Sequence, residues 1–362
     1  MSSYPFRSGP GFARNQWYIA AWSAELGAAP LARTILGEEV LLYRGASGRA
    51  AAVSSVCPHR WMPLAGAQVE GEAIICPYHG ARFESDGQCS RAPSQERVPP
   101  SFRLRAYPLI ERGPVLWIWP GEAERADPDL LPDAGSVGLG EDGGWDVELV
   151  APFQLAARAQ LLIENLFDQS HVDFVHPSSL GGAVMHAQVR EEDVLDEPGR
   201  FAVSRSLPLA EADDGARAVF EGMGAWFTAR LRSELLGVSL VNSTGSRTFS
   251  ADAADGELRL VGEMNFLHGV TPETATTTHY FTAATRNFAR GNPGFTAALM
   301  ERNAQVVRED VAILEAIETR IDRVGDVRAE VNFASDVAAA LVRRRMEKLI
   351  AAEQAGRPPA AH

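Results

Sequence analysis

The sequence predicts an α+β protein built as two successive domains, a smaller all-β one followed by a larger one in which helices flank an antiparallel sheet. Three observations carry this expectation. The chain has 362 residues, enough for two cores when single domains cluster at roughly 100 to 200 residues. From Trp17 to Trp119 it consists of short apolar runs broken by Gly, Pro and polar turns. Past a Pro- and Asp-rich interruption, strand-like alternation gives way to helical periodicity towards the C-terminus.

The runs Val40–Tyr43, Ala52–Val56, Ala73–Cys76 and Leu116–Trp119 have the length and punctuation of strands, and residues 1–125 are assigned to the first domain. Residues 126–136 hold Pro128, Pro132, Gly135 and several Asp residues. They interrupt both periodicities and read as a linker. The second domain spans 137–355. It opens with a helical stretch near Leu161–Phe174 and continues with alternating segments at Arg200–Leu207, Arg259–Phe266 and Thr276–Thr282. From Gly294 to Asp322, Met300, Val307, Leu314, Ile317 and Ile321 recur at helical spacing and predict a long amphipathic helix. A second helix is expected over Ala334–Glu353, and residues 356–362 as a flexible tail.

Composition narrows the function. The net charge is -13, which argues against nucleic acid or an anionic membrane as partner, since both attract basic surfaces. No stretch approaches the roughly 18 to 20 apolar residues of a membrane span. Met1–Phe12 lacks a basic segment followed by an apolar one, so a cytoplasmic location is expected. The three cysteines, Cys57, Cys76 and Cys89, are too few to brace the chain with disulfides. Reduced thiols raise the question of metal binding.

Cys57-Pro-His59-Arg and Cys76-Pro-Tyr-His79 form the pattern C-x-H-x16-C-x2-H. Two thiolates and two imidazoles from paired turns can bind one zinc, or can divide between the two irons of a [2Fe-2S] cluster. The single residue between Cys57 and His59 suits ligands going to different irons, whereas zinc sites usually separate paired ligands by two to four residues. The plain alternative is two core cysteines and two satisfied histidines. Cys89 lies outside the pattern and reads as a small side chain in or near the core.

A second constellation follows Leu161–Ile163. In Asn165-Leu-Phe-Asp168-Gln-Ser-His171-Val-Asp-Phe-Val-His176, residues 165, 168 and 171 lie three apart and project from nearly one helical face. Asp310 sits on the stripe 300, 303, 307, 310, 314, 317, 321 of the long helix, where a buried carboxylate is costly unless paired or metal-bound. The alternative for it is a salt bridge to an arginine. Glu309, one residue away, lies off that stripe and needs no such explanation. Two His and one Asp with open positions form the facial triad of oxygen-activating ferrous enzymes.

Taken together, these motifs resemble the Rieske non-haem iron oxygenases. The segments involved are Cys57-Pro-His59-Arg-Trp, Cys76-Pro-Tyr-His79-Gly-Ala-Arg-Phe, Asn165-Leu-Phe-Asp168, His176-Pro-Ser-Ser, Thr271-Pro-Glu-Thr and Arg308-Glu-Asp310, and the branch is that of the vanillate and dicamba O-demethylase oxygenases. The resemblance implies an N-terminal Rieske [2Fe-2S] domain in which Cys57 and Cys76 bind one iron and His59 and His79 the other. It implies that His171, His176 and Asp310 hold a mononuclear Fe(II). It further implies that Asp168 bridges His79 of one subunit to His171 of another, which makes a head-to-tail homotrimer the working unit. Asn165 is expected either to tune the iron or to order its helix.

The reaction implied is a monooxygenation: one atom of O2 enters a substrate C–H bond and the other leaves as water. Hydroxylation beside an ether or amine nitrogen leads to O- or N-dealkylation, and ring or benzylic hydroxylation would use the same machinery. No G-x-G-x-x-G opens a helix after a strand, so electrons are expected from a separate NAD(P)H-dependent reductase, with or without a ferredoxin. Asn242 and His268 are the candidate polar contacts to an aromatic substrate, with Trp226, Phe227 and Phe266 nearby. No arginine cluster dedicated to a carboxylate is legible. Two remoter readings are a Rieske electron carrier and a zinc-stabilised binding module.

Overall fold

The computed structural model describes residues 3–7, 11–141, 143–181, 193–197, 199–325 and 328–356; of the expected tail only Gly356 lies among them. The chain divides into two compact units. The smaller comprises Arg14–Leu131 with Thr271–Ala275, and the larger comprises Pro132–Val270, the chain from Thr276 onward and the segment up to Ala13. That N-terminal segment belongs with the larger unit because its backbone is held there: the carbonyl of Tyr4 accepts from Arg158, and the N–H of Arg7 donates to Glu347 at 3.0 Å. In the stretch read as a linker, the Asp127 and Asp133 side chains cap short turns at Pro128–Leu130 and Ala134–Val137.

The smaller unit is all-β. Its strands are β1 (Tyr18–Trp22), β2 (Leu31–Ile35), β3 (Glu38–Arg44), β4 (Ala50–Ser54), β5 (Gln68–Glu70), β6 (Ala73–Ile75), β7 (Arg82–Phe83), β8 (Cys89–Arg91), β9 (Leu109–Arg112) and β10 (Val115–Ile118). They form three antiparallel sheets, in the orders β1-β10-β9, β2-β3-β4 and β5-β6-β7-β8. Val40 to Tyr43 are all buried, so β3 reads as a continuous apolar run because both its faces are covered. The β2–β3 turn places Leu36 and Gly37 at φ 50° and 79°, the left-handed pair a two-residue hairpin needs. Their N–H groups donate to the carbonyls of Pro272 and Glu273, both at 2.8 Å, which ties Thr271–Ala275 into this unit.

The larger unit is α+β. Its strands are β11 (Asp146–Leu155), β12 (Asp193–Glu197), β13 (Arg200–Ser206), β14 (Ala210–Glu211), β15 (Trp226–Leu236), β16 (Leu240–Ala251), β17 (Arg259–Pro272) and β18 (Thr278–Arg286). One eight-stranded sheet runs β11-β18-β17-β16-β15-β13-β12, with β14 on β15. The helices are α1 (Ala159–Phe167), α2 (Val172–Val175), α3 (Asp214–Val219), α4 (Pro293–Val324) and α5 (Val337–Gln354). At the head of α4 the Asn292 side chain accepts from the N–H of Phe295, and Pro293 follows at the first helical position, a strong start signal. Among the described residues no helix is long and apolar enough to cross a membrane.

Two expectations are corrected. The stretch 161–174 is not one helix: α1 ends at Phe167, and Asp168 turns to extended backbone at φ -83°, ψ 112°. Its carboxylate causes the break, because Oδ1 accepts from both the N–H and the hydroxyl of Ser170 at 2.7 Å, a local alternative to the helical ladder. On α4 the buried stripe passes through Glu318 rather than Ile317, which is 41% exposed. Glu318 can be buried because Arg158 clasps it, with Nε to Oε2 at 2.8 Å and Nη2 to Oε1 at 2.6 Å.

Candidate metal centres

In the smaller unit the two Cys-His segments form matching loops. The N–H of Cys57 donates to the carbonyl of Met62 at 2.9 Å, and the N–H of Cys76 to that of Ala81 at 2.8 Å, so each loop closes on the fifth residue after its cysteine. Gly80 takes φ +70° to complete the second, a conformation costly for a residue with a Cβ. Both cysteines belong to the apolar core beside Leu41, Val53, Ile74 and Phe83, while His59 and His79 are exposed. The two imidazole rings lie 4.7 Å apart. Burial, reinforced by a hydrogen bond with Cys76, pushes the Cys57 thiol up to about 11. A metal or cluster must displace those protons, since the thiolate is the ligand. Sulfur donors inside and imidazole donors at the surface fit a [2Fe-2S] cluster that accepts electrons at one edge. Beside the loops, Trp61 is 81% exposed and adopts φ 54°. Cys89 is half-buried, its thiol directed at the carbonyl of Arg91 at 3.3 Å.

In the larger unit the break at Asp168 sets up the second centre. Past it, His171 and His176 bracket the single turn α2 as its N-cap and C-cap. Their ligand atoms and a carboxylate oxygen of Asp310 all lie within 4.8 Å of one another. His171 Nε2 is 3.4 Å and His176 Nε2 3.1 Å from Asp310 Oδ1. Asn165, on the last turn of α1, donates from Nδ2 to the same oxygen at 3.3 Å. Burial disfavours the imidazolium of His171, but Asp168 and Asp310 outweigh it and push its pKa up to about 9. The pocket thus stabilises positive charge. Nδ1 of His171 is buried without a hydrogen bond, 3.6 Å from Asp168 Oδ2. Two imidazole nitrogens from the ends of α2 and one carboxylate from α4 fit a ferrous ion with open coordination positions.

Glu309 lies off the buried stripe, as the sequence reading has it, but has a partner that reading passes over. It is anything but idle: Oε2 lies 2.7 Å from His176 Nδ1 and accepts from Ser179 Oγ at 2.6 Å. The signal available was its place beside an aspartate expected to bind metal, since metal-bound imidazoles usually direct their other N–H at a carboxylate.

The triad forms part of the wall of a cavity of about 190 Å³. Leu166, Val172, Leu180, Leu231, Phe266 and Val306 supply its apolar lining. An apolar cavity of about 150 Å³ accepts benzene, so a substituted ring fits. The polar lining includes His268, Ser243, Arg205 and Arg302. Nδ1 of His268 is 2.6 Å from Tyr280 Oη and its Nε2 2.9 Å from Ser243 Oγ. Complete burial depresses its pKa to about 4, leaving it neutral. Asn242 is not in this lining; its amide is turned to Asn265 Oδ1 at 2.8 Å. Trp226 and Phe227 also lie outside the lining. Arg205 and Arg302 went unnoticed in the sequence because they come from β13 and α4, almost a hundred positions apart, and the burial of β13 does not alternate.

An all-β unit with paired Cys-His loops, followed by an α+β unit with a two-His, one-Asp centre, defines a Rieske-type oxidoreductase. Comparison with known proteins makes the assignment specific. Residues 16–108 match the Rieske [2Fe-2S] domain, and residues 155–352 match the vanillate O-demethylase oxygenase C-terminal domain. The iron-sulfur subunit of the toluene-4-sulfonate monooxygenase system of Comamonas testosteroni is 33% identical, over 96% of this chain and all of that one. The oxygenase component of chloroacetanilide N-alkylformylase from Rhizorhabdus wittichii is also 33% identical, over 96% and 97%. A crystal structure of dicamba monooxygenase with non-haem iron and dicamba superposes with a TM-score of 0.79 at 29% identity, covering 95% of this chain and 99% of that one. The chain belongs to the Rieske non-haem iron oxygenases of the vanillate O-demethylase type, in which it is an oxygenase component.

Proposed function

We propose that this chain is the terminal oxygenase of a multicomponent monooxygenase that hydroxylates an alkyl group on an aromatic substrate, with O- or N-dealkylation as the result. The observation that carries this reading is the convergence of His171, His176 and Asp310 on the wall of an apolar cavity of ring size. In it, Cys57 and Cys76 hold one iron of the cluster and His59 and His79 the other, while His171, His176 and Asp310 hold Fe(II). When bound, these centres supply stepwise electron delivery and O2 activation.

The chain's own residues do the rest. Asn165 steadies the Asp310 carboxylate through its 3.3 Å contact. The apolar lining holds the aromatic ring and excludes water. Neutral His268, both of whose ring nitrogens are taken by Tyr280 and Ser243, adds an uncharged ring to the lining. A hydroxyl introduced next to an ether oxygen or amine nitrogen gives a hemiacetal or hemiaminal, which collapses without further catalysis.

Electrons come from a separate reductase, with or without a ferredoxin. The assembly is a head-to-tail homotrimer in which the exposed edge of one chain's cluster loops meets Asp168 of the next. The supporting observations are exposed apolar surface beside each centre: Trp61 at 81% and Tyr78 at 59% in the smaller unit, Phe174 at 86% and Val331 at 84% in the larger. Exposed apolar patches of this kind mark interaction sites. Three free cysteines and dependence on a reductase suit the cytoplasm.

The test is metal analysis of anaerobically purified protein followed by turnover with methoxy- and N-alkyl-aromatics. The reading expects about three irons and two sulfides per chain, and aldehyde released in step with O2 consumed. Hydroxylated ring products without aldehyde would move the reaction to ring hydroxylation. Two irons that stay at two after Fe(II) reconstitution would reduce the protein to an electron carrier.

A further inference from the structure

We propose that Glu309 is the positioning residue of the mononuclear centre, fixing the tautomer and ring orientation of His176; the inference rests on the reading of His171, His176 and Asp310 as an iron site. The geometry is that of a clamp. His176 is almost completely buried, and its two nitrogens face two successive residues of α4. Nε2 is 3.1 Å from Asp310 Oδ1, whereas Nδ1 is 2.7 Å from Glu309 Oε2. Adjacent helical residues project about 100° apart, which lets one turn of α4 grip both edges of a single imidazole. With Nδ1 protonated and donating to Glu309, the lone pair of Nε2 is held towards the ligand cluster.

Glu309 is itself fixed. Ser179 Oγ donates to Oε2 at 2.6 Å, and Gln305 Nε2, one turn earlier on α4, donates to Oε1 at 3.0 Å. The carboxylate therefore cannot swing into the cluster without giving up three contacts, and it lies on the side of the ring away from Asp310. His171 differs: its Nδ1 has no hydrogen bond, with Asp168 Oδ2 at 3.6 Å. Among the described residues, His176 alone of the two histidines has its outer nitrogen anchored by a hydrogen bond.

The test is Fe(II) affinity, measured by chelator competition on the cluster-loaded chain and checked by the Co(II) ligand-field spectrum of the same site. Glu309→Ala should weaken Fe(II) binding about tenfold to a hundredfold and alter the Co(II) spectrum. Glu309→Gln still offers an oxygen to Nδ1–H, with Gln305 turning its amide to match, and should recover most of the loss. If Glu309→Ala does not fold, Glu309→Asp takes its place, because the shorter carboxylate draws back from Nδ1. A purely structural tie between α4 and Ser179 would instead lower the melting temperature of the metal-free chain equally in Glu309→Ala and Ser179→Ala, with Fe(II) affinity unmoved; that result overturns the proposal. A wild-type chain that binds no Fe(II) beyond its cluster would overturn the site reading as well.

Discussion

The two centres are built in opposite ways. The proposed cluster loops are local and twinned: each Cys-His pair lies within four residues, each loop closes on the same backbone hydrogen bond, and each is spanned by an antiparallel pairing, the bridge of Val56 with Pro63 for the first and β6 with β7 for the second. The proposed iron triad is assembled from a distance. Its two histidines bracket one turn of helix after a break in the chain, and its carboxylate arrives from α4, over a hundred residues later. A site made of loops can be completed by its own neighbourhood, whereas a site made of packed helices exists only once the larger unit has folded.

That contrast can be broken at either end. The largest effect is expected from removing one ligand of each centre. Asp310→Ala should abolish turnover and iron at the triad, by more than about a hundredfold, while the visible Rieske spectrum stays intact. Cys57→Ser should bleach the spectrum yet leave Fe(II) uptake by the larger unit. Bleaching by Asp310→Ala would show that the centres are not independent.

A sharper cut falls on Asp168, which belongs to the second centre but is proposed to serve both. Asp168→Asn should retain all the metals and slow reoxidation of the reduced cluster about tenfold to a hundredfold, followed by stopped-flow absorbance. An unchanged rate would remove the bridge between subunits.

The smallest effect concerns pH. His268 has its pKa depressed to about 4 from an ordinary 6.5, so the unfolded chain takes up this proton first as pH falls. Its contribution to stability is therefore complete above pH 6.5 and is lost on the way down to pH 4, by about 1.4 kcal/mol per unit and about 3 kcal/mol in all. Urea midpoints of wild type and His268→Gln between pH 7 and 4.5 should converge as pH falls. A gap that does not change with pH would mean that His268 titrates alike in the folded and unfolded chain, and a gap that widens would mean that it is charged in the folded chain.

What was legible follows the same division. Cys57, His59, Cys76 and His79 could be read directly because spacing alone encodes a loop site. Asp310 could be read because a carboxylate on an apolar stripe is an anomaly. Glu309 was missed because helical phase was used to decide relevance, and a residue off the stripe still touches whatever packs over its edge. The stripe itself drifted by one position at Glu318, since an arginine from the start of α1 made a buried carboxylate tolerable. The kink at Asp168 was hidden because spacing by threes looks helical, whereas the hydrogen bonds to Ser170 are stronger than the pattern. Asn242 attracted notice as a polar residue in an apolar run, but its partner is Asn265, which no local pattern reveals.

Trp61 has a consequence for anyone wishing to harden this protein against heat. A bulky L-residue held at φ 54° carries a steric cost of roughly 1–2 kcal/mol, and glycine at this position would remove it. The same exchange would strip away the broad indole face that stands in solvent beside the cluster histidines. Thermal robustness and assembly thus pull one residue in opposite directions, and a variant selected only for its melting temperature would tend to discard exposed apolar surface that the proposed homotrimer uses.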